Sequence, residues 1–183
     1  MARKLVAYEL MSLDGVAEDP DRFITEWDNA MDENLARVIT SQDTVILGRR
    51  TYDEWANFWP TSDIEPFAAF INGVEKYVVT STALESQWAN AVAIEQRPLE
   101  FIGALKQRAG GDIGLHGSIA LTGALLKAGL VDEIRLVLAP ALCGSGRRLF
   151  DTGVDTRLTL ARSVVSPSGY LLLDYDVSNE TTV

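Results

Sequence analysis

Short runs of apolar residues, each ending at a polar residue or a glycine, alternate with helix-like segments along most of this 183-residue chain. Several of these runs are unbroken, which is typical of strands covered by helices on both faces of a sheet. The alternation therefore predicts an α/β domain with a mostly parallel central sheet. The six runs fall at residues 5–10, 45–47, 77–79, 92–94, 113–115 and 134–138.

The segments between these runs have the 3.6-residue period of amphipathic helices. Met31, Leu35 and Val38 recur at i, i+4 and i+7, and Asp28 precedes them as a predicted N-cap. This pattern predicts a helix that packs one apolar face against the sheet. Further helices are predicted at residues 51–58, 67–71, 98–105 and 118–126.

The C-terminal part has a different pattern. Residues 158–165 and 170–177 are rich in strand-forming side chains, and Ser166-Pro167-Ser168-Gly169 separates them. This arrangement predicts an antiparallel hairpin at one edge of the sheet. We expect a single domain over residues 1–183.

Charge and composition exclude several classes of function. Sixteen basic and 26 acidic residues give a net charge of −10, which argues against nucleic-acid binding, and an anionic ligand would need a local cluster of positive charge. A single cysteine, Cys143, and a single histidine, His116, exclude an intrachain disulfide and a Cys/His zinc site, and we expect no metal. The sequence has neither a signal peptide pattern nor an 18-residue apolar window, so we expect a cytoplasmic protein.

Polar and glycine residues follow the predicted strands where ligands bind in an open α/β sheet, beyond the carboxyl ends. Asp14 follows the first strand, although taken alone it is better explained by an Asp-Gly turn. Arg49 and Arg50 follow Gly48 at the start of a predicted helix, where free N–H groups and forked guanidinium donors suit phosphate. The alternative is a solvated pair of surface arginines.

Two further strand ends carry small residues. Thr80 and Ser81 follow the third strand, where their hydroxyls suit phosphate or ribose oxygens or cap a turn. Gly117 permits close backbone approach, and Ser118 is predicted to cap the next helix, so a pyrophosphate fits there. The glycine spacing does not match a Rossmann fingerprint or a P-loop.

The order of these motifs resembles the dihydrofolate reductase-like superfamily over residues 3–177. The most similar branch is the reductase (C-terminal) domain of the bifunctional riboflavin-biosynthesis deaminase-reductase. The motifs that carry this resemblance are Met11-Ser12-Leu13-Asp14-Gly15, Gly48-Arg49-Arg50-Thr51-Tyr52, Tyr77-Val78-Val79-Thr80-Ser81, Gly117-Ser118, Leu130-Val131-Asp132-Glu133-Ile134 and Gly144-Ser145-Gly146-Arg147-Arg148-Leu149-Phe150.

The resemblance implies a central sheet of about eight strands and NADPH lying across the strand ends. By the same resemblance, Asp14 would border the nicotinamide and the substrate, and such domains are often homodimers. The residues implied to hold the cofactor are Gly48, Arg49, Arg50, Thr51, Thr80, Ser81, Gly117 and Ser118.

Dihydrofolate reductases carry an acidic residue on the first helix, and Asp28 and Asp32 lie near that position here. We take Asp14 and Asp28 as candidate catalytic residues. Trp27 and Tyr52 are candidate substrate-stacking aromatics, with core packing as the alternative.

The function expected from these residues is an NADPH-dependent reductase acting on a small heterocyclic (pteridine- or pyrimidine-like) or conjugated substrate. A non-catalytic, dimeric nucleotide- or ligand-binding module on the same fold is the main alternative. In a third interpretation the loops are only turns of a generic α/β domain, which would have no nucleotide affinity.

Overall fold

The computed structural model describes residues 3–151, 153 and 155–178, and eight strands in this part of the chain form one sheet. The strands are β1 (Leu5–Ser12), β2 (Gln42–Gly48), β3 (Glu75–Val79), β4 (Ala91–Ala93), β5 (Asp112–His116), β6 (Glu133–Ala139), β7 (Arg157–Val165) and β8 (Leu171–Ser178). Their order across the sheet is β4-β3-β2-β5-β1-β6-β8-β7.

Strands β1 to β6 all pair in parallel, whereas β8 is antiparallel to both β6 and β7. The predicted eight-stranded, mostly parallel sheet with a C-terminal hairpin is therefore confirmed. The helices are α1 (Asn29–Thr40), α2 (Arg49–Phe58), α3 (Phe67–Gly73), α4 (Pro98–Lys106) and α5 (Ile119–Lys127).

Each face of the sheet carries its own buried core, which explains the continuous apolar runs. Val45 belongs to the core that includes residues of α1, α2 and α3, and the next residue, Ile46, belongs to the core that includes residues of α4 and α5. Because successive side chains of a strand point to opposite faces, both must be apolar. Among the described residues, no helix combines the length and the apolarity needed to cross a membrane.

Two helix starts bear directly on the sequence predictions. The carboxylate of Asp28 accepts a hydrogen bond from the Met31 amide at 3.1 Å, so the predicted N-cap of α1 is confirmed. Helix α2 begins at Arg49, two residues before the predicted start, because the backbone turns helical directly after the extended Gly48. Arg49 and Arg50 therefore lie in the first turn of α2.

Candidate functional site

A cleft of about 590 Å³ opens at the carboxyl edge of the sheet, where β1 and β5 part. Strand β5 ends at His116, opposite Tyr8, while β1 continues beside β6 to Ser12. Tyr8, Glu9, Leu10 and His116 are among the residues that line the cleft. The divergence of these two neighbouring strands therefore opens a space for a ligand in the middle of the sheet edge.

Helices α2 and α5 both begin at this cleft, and neither start is neutralised. No side chain caps either helix, and no acidic residue lies in either first turn. By contrast, α1 is capped by Asp28 and has Asp32 in its first turn. Because free N–H groups and the helix dipole favour negative charge, the two uncapped starts suit an anionic group such as a pyrophosphate.

Ser118 connects the two uncapped helix starts, and it does so in a way that differs from the prediction. It occupies the N-cap position of α5, but its side chain does not cap that helix. Its hydroxyl instead accepts a hydrogen bond from the Gly48 amide at 2.9 Å and lies 2.8 Å from Thr51 Oγ1. Both Gly117 and Ser118 have positive φ angles, of 61° and 66°, which shape this turn.

Arg49 joins the cleft to an adjoining pocket of about 510 Å³ that is also lined by Thr80 and Ser81. Its Nη1 donates to Thr82 Oγ1 at 2.6 Å and lies 3.4 Å from Thr80 Oγ1, while its Nε donates to Asp53. The structure thus brings three separate predicted segments, those of residues 48–51, 80–81 and 117–118, to one continuous surface.

Arg50 is the more open of the two arginines, with a side chain that is 62% exposed. It is paired with Glu54 at 3.0 Å and with Glu18 at 3.5 Å. Glu18 also accepts from the guanidinium of Arg147 at 2.8 Å. Two of the arginines that line the cleft, Arg50 and Arg147, therefore meet at Glu18.

Asp14 does not line the cleft, contrary to the expectation that it borders the substrate. Its carboxylate accepts hydrogen bonds from the amides of Cys143 at 3.0 Å and Gly144 at 2.8 Å, and from the Ser12 hydroxyl at 2.7 Å. These bonds, the one from Cys143 foremost, hold the pKa of Asp14 well below its ordinary value. Through these hydrogen bonds, the ionised carboxylate connects the loop after β6 to the loop after β1.

Asp28 also lies outside the cleft lining, although it was a candidate catalytic residue. Besides the Met31 amide, it binds the Ser168 amide at 3.0 Å, which joins α1 to the hairpin turn. Partial desolvation raises the pKa of Asp28, but these hydrogen bonds outweigh it and lower the pKa to about 2. The residue is therefore engaged in structural bonds.

The two aromatic candidates have different surroundings. Tyr52 is 1% exposed, and its hydroxyl donates to the Ser86 carbonyl at 2.5 Å, so it packs in the core and not in the cleft. Trp27 does line the cleft, and its indole Nε1 donates to Asp32 Oδ1 at 2.7 Å. Asp32 also lines the cleft, from the first turn of α1.

Glu9 is a cleft residue that the sequence predictions overlooked. It is 2% exposed, and burial raises its pKa to about 8, against a smaller opposing effect of the Thr122 hydroxyl, which donates to it at 2.7 Å. The carboxyl group is thus protonated at neutral pH. A single acidic residue inside an otherwise apolar strand was the signal that could have identified it.

His116 lies opposite β1 and is equally buried. Its Nε2 is 2.7 Å from Gln42 Oε1, and burial lowers its pKa to about 3. The ring is therefore neutral at physiological pH and adds no positive charge to the cleft.

Comparison with known proteins gives the family. A model described as the RibD C-terminal domain matches residues 3–172. The chain is 26% identical over 178 residues to the uncharacterized protein YyaP of Bacillus subtilis (strain 168), and the match covers 94% of each chain.

Two solved structures have a similar fold. One is a pyrimidine reductase-like protein from Corynebacterium diphtheriae, with a TM-score of 0.70 and 18% identity over 96% of this chain and 92% of that chain. The other is a diaminohydroxyphosphoribosylaminopyrimidine deaminase/5-amino-6-(5-phosphoribosylamino)uracil reductase from Thermotoga maritima. Its TM-score is 0.70 at 12% identity, and the match covers 97% of this chain and 57% of that chain.

These matches agree with the resemblance that the sequence motifs indicate. The sheet order and the C-terminal hairpin agree with a dihydrofolate reductase-like fold of the riboflavin-pathway type, so the predicted fold is confirmed. The family match extends from the first described residue of the chain into β8, the last strand. The chain belongs to the RibD C-terminal domain family, a family of reductase-type domains.

Proposed function

We propose that this protein is an NADPH-dependent reductase that transfers a hydride to a small heterocyclic or conjugated substrate. The observation that carries the proposal is the pair of uncapped helix starts, α2 and α5, which open beside Arg49 and Arg50 onto one deep cleft. The family match supports the reductase class. The cofactor and the type of substrate are proposed from the residues of the cleft.

The residues around the cleft fit a phosphorylated dinucleotide. The free amides at the starts of α2 and α5 would hold the pyrophosphate, since Gly117 leaves room for close approach. The Ser118 hydroxyl accepts a hydrogen bond from the Gly48 amide and so holds the two helix starts together. Thr80, Ser81 and Arg49 would hold the adenosine end in the adjoining pocket. When bound, NADPH supplies the hydride, and the protein aligns the reactants and excludes water.

Two carboxyl groups of the cleft are better placed for the roles expected of Asp14 and Asp28. Glu9 holds a proton at neutral pH and lines the cleft, so we assign proton delivery to its carboxyl group. Asp32, held by the Trp27 indole, would orient the substrate through the same carboxylate. Trp27 itself would stack on a flat ring.

The cofactor test compares NADPH with NADH by equilibrium titration. We expect NADPH to bind at least tenfold more tightly, because one charge-assisted hydrogen bond to the 2′-phosphate contributes about 1.5–3 kcal/mol. The double variant Arg49→Ala/Arg50→Ala should lose this preference. The control Arg108→Ala removes an exposed guanidinium from outside both pockets and should keep it.

Three outcomes separate the candidate functions. Equal affinity for NADPH and NADH would contradict the assigned role of the two arginines. Tight NADPH binding without oxidation by any member of a panel of heterocycles and conjugated carbonyl compounds would indicate the non-catalytic binding module. The absence of any nucleotide binding would leave only a generic α/β domain.

We also propose that the protein is a homodimer, formed through the sheet face near β7 and β8. Leu158 pairs with Val177 and Leu160 with Tyr175, so these four apolar side chains share one face of the hairpin. Leu160 is 51% exposed. A second copy of the chain that covers this face would bury the apolar row.

A further inference from the structure

The arginines that line the cleft come from a few segments, while other segments contribute only acidic and apolar side chains, and this division bears on the substrate of the proposed reductase. The cationic side chains that line the cleft in the described part of the chain are Arg49, Arg50 and Arg147. Glu18, Asp19 and Glu54 line the cleft in the same region, and Glu18 contacts both Arg50 and Arg147. Segments 21–35 and 59–67 contribute a further part of the lining, which we call the acidic wall.

The acidic wall carries three carboxylates and no basic side chain among its described lining residues. The carboxylates belong to Asp21, Asp32 and Glu65. The other lining residues of this wall are aromatic or aliphatic. These apolar residues are Ile24, Trp27, Leu35, Trp59, Ile64 and Phe67.

Helix α1, which begins at the acidic wall, is also unsuited to an anion. The start of α1 is already occupied by the Asp28 carboxylate, and Asp32 follows in its first turn. The partial positive charge that α2 and α5 offer is therefore neutralised at α1. Helix α3 also begins at the acidic wall, where the Glu65 carboxylate accepts a hydrogen bond from the Ala69 amide at 3.1 Å. Among the helix starts at the cleft, those of α2 and α5 are therefore the ones without a bound carboxylate.

The three arginines are themselves already paired. Arg49 donates to Asp53 at 2.7 Å, Arg50 to Glu54 at 3.0 Å and Arg147 to Glu18 at 2.8 Å. With Arg49 and Arg50 assigned to NADPH, a second anionic group would be left with Arg147, which is already paired with Glu18 at 2.8 Å. A phosphorylated substrate would thus meet net negative charge on the wall left to it.

From this division we infer that the substrate is a flat, neutral or cationic compound without a phosphate, and this inference rests on the proposed reductase function. The Thermotoga maritima protein of the same fold is named for a phosphoribosylated uracil. The acidic wall here excludes such a group by Coulomb repulsion and admits the uncharged counterpart, which the aromatic side chains can stack upon.

The test uses a matched pair, an aminopyrimidine riboside and its 5′-phosphate, with the NADPH-loaded protein. Binding is measured by calorimetry, and turnover by NADPH oxidation. We expect the riboside to bind at least tenfold more tightly than its phosphate. The difference should shrink at high ionic strength, because salt screens charge repulsion and leaves steric exclusion unchanged.

A charge-reversal variant locates the effect. Asp21→Lys should improve binding of the phosphate relative to the riboside severalfold. Glu75→Lys makes the same charge reversal at an exposed residue at the amino end of β3, outside the cleft lining, and should leave the ratio unchanged. Stronger binding of the phosphate by the unmodified protein would overturn the inference, as would a preference insensitive to salt or the binding of neither compound. NADPH titration is scored separately, so failure of the cofactor proposal is distinguishable.

Discussion

Glu9 shows how far one side chain can depart from the behaviour expected of its type. A glutamate carboxyl group in water has an ordinary pKa of 4.5. Glu9, however, is buried on the central strand β1, with a single described hydrogen-bond donor, Thr122. Burial disfavours the charged form, so the folded protein keeps the proton. The same burial that suits Glu9 to the proposed proton delivery makes it a pH-dependent element of stability.

We expect the stability of the protein to fall as the pH rises from about 4.5 to about 8, through the effect of Glu9. The sign follows because the folded pKa is raised: the favourable contribution is complete below the unfolded pKa and is lost as the folded carboxyl ionises. Glu9→Gln keeps an acceptor for the Thr122 hydroxyl and does not titrate. Urea unfolding midpoints across this range should therefore decline less for the variant.

An exposed residue provides the control for this measurement. Glu26→Gln removes a carboxylate at the surface and should leave the pH dependence as it is in the unmodified protein. Parallel curves for the unmodified protein and Glu9→Gln would show that Glu9 ionises freely in the folded state.

At the scale of elements, the starts of α2 and α5 depend on a short turn with two left-handed residues. Gly117 has a φ of 61° and Ser118 a φ of 66°. A Cβ at Gly117 would lie 3.8 Å from Thr51 Cγ2, which is ordinary contact, so space alone does not require glycine there. The backbone angle does, since left-handed φ is unfavourable for residues with a Cβ.

Gly117→Ala should therefore destabilise the protein by about 1–2 kcal/mol and weaken NADPH binding, because relief of the strain shifts the amides at the start of α5. Gly169→Ala is the matched control: Gly169 has a φ of 86° in the hairpin turn, with no atom within 4 Å of an added Cβ. It should lose similar stability without a change in nucleotide affinity. Denaturant unfolding and NADPH titration measure the two effects, and equal loss of binding in both variants would contradict this assignment.

For the whole molecule, the two edges of the sheet differ in how they end. The β4 edge consists of a three-residue strand, while the β7 edge is a nine-residue strand with exposed apolar side chains. A long exposed apolar edge is rarely left uncovered in a protein that stays in solution. The β7–β8 face is accordingly the place where the proposed homodimer would form.

Leu160→Asp should convert the dimer to a monomer, because it places a charge in the apolar row that the second copy would bury. Val92→Asp introduces the same change at the opposite edge, where Val92 is 54% exposed, and should leave the mass unchanged. Light scattering on a sizing column gives the mass of each variant. A monomeric unmodified protein, or dissociation by both substitutions, would rule out this face.

Much of the fold was predictable because it is encoded locally. The apolar runs located the strands, Asp28 marked the start of α1, and Ser166-Pro167-Ser168-Gly169 marked the hairpin turn. Each of these signals depends on residues close in sequence, through periodicity, capping and turn chemistry. The site was predictable where it follows from strand ends, as for Gly48, Arg49 and Gly117.

The rest depended on contacts between distant segments. Whether Asp14 faces a substrate or fastens a loop was decided by the Cys143 amide, 129 residues later in the chain. The orientation of Tyr52 and the burial of Glu9 were decided in the same way, by packing against other elements. The sequence by itself determined which elements form and where donors cluster. Only the tertiary structure decided which side chains face the cleft and which carboxyl groups keep a proton, because solvent exposure and electrostatic environment exist only once remote segments are packed together.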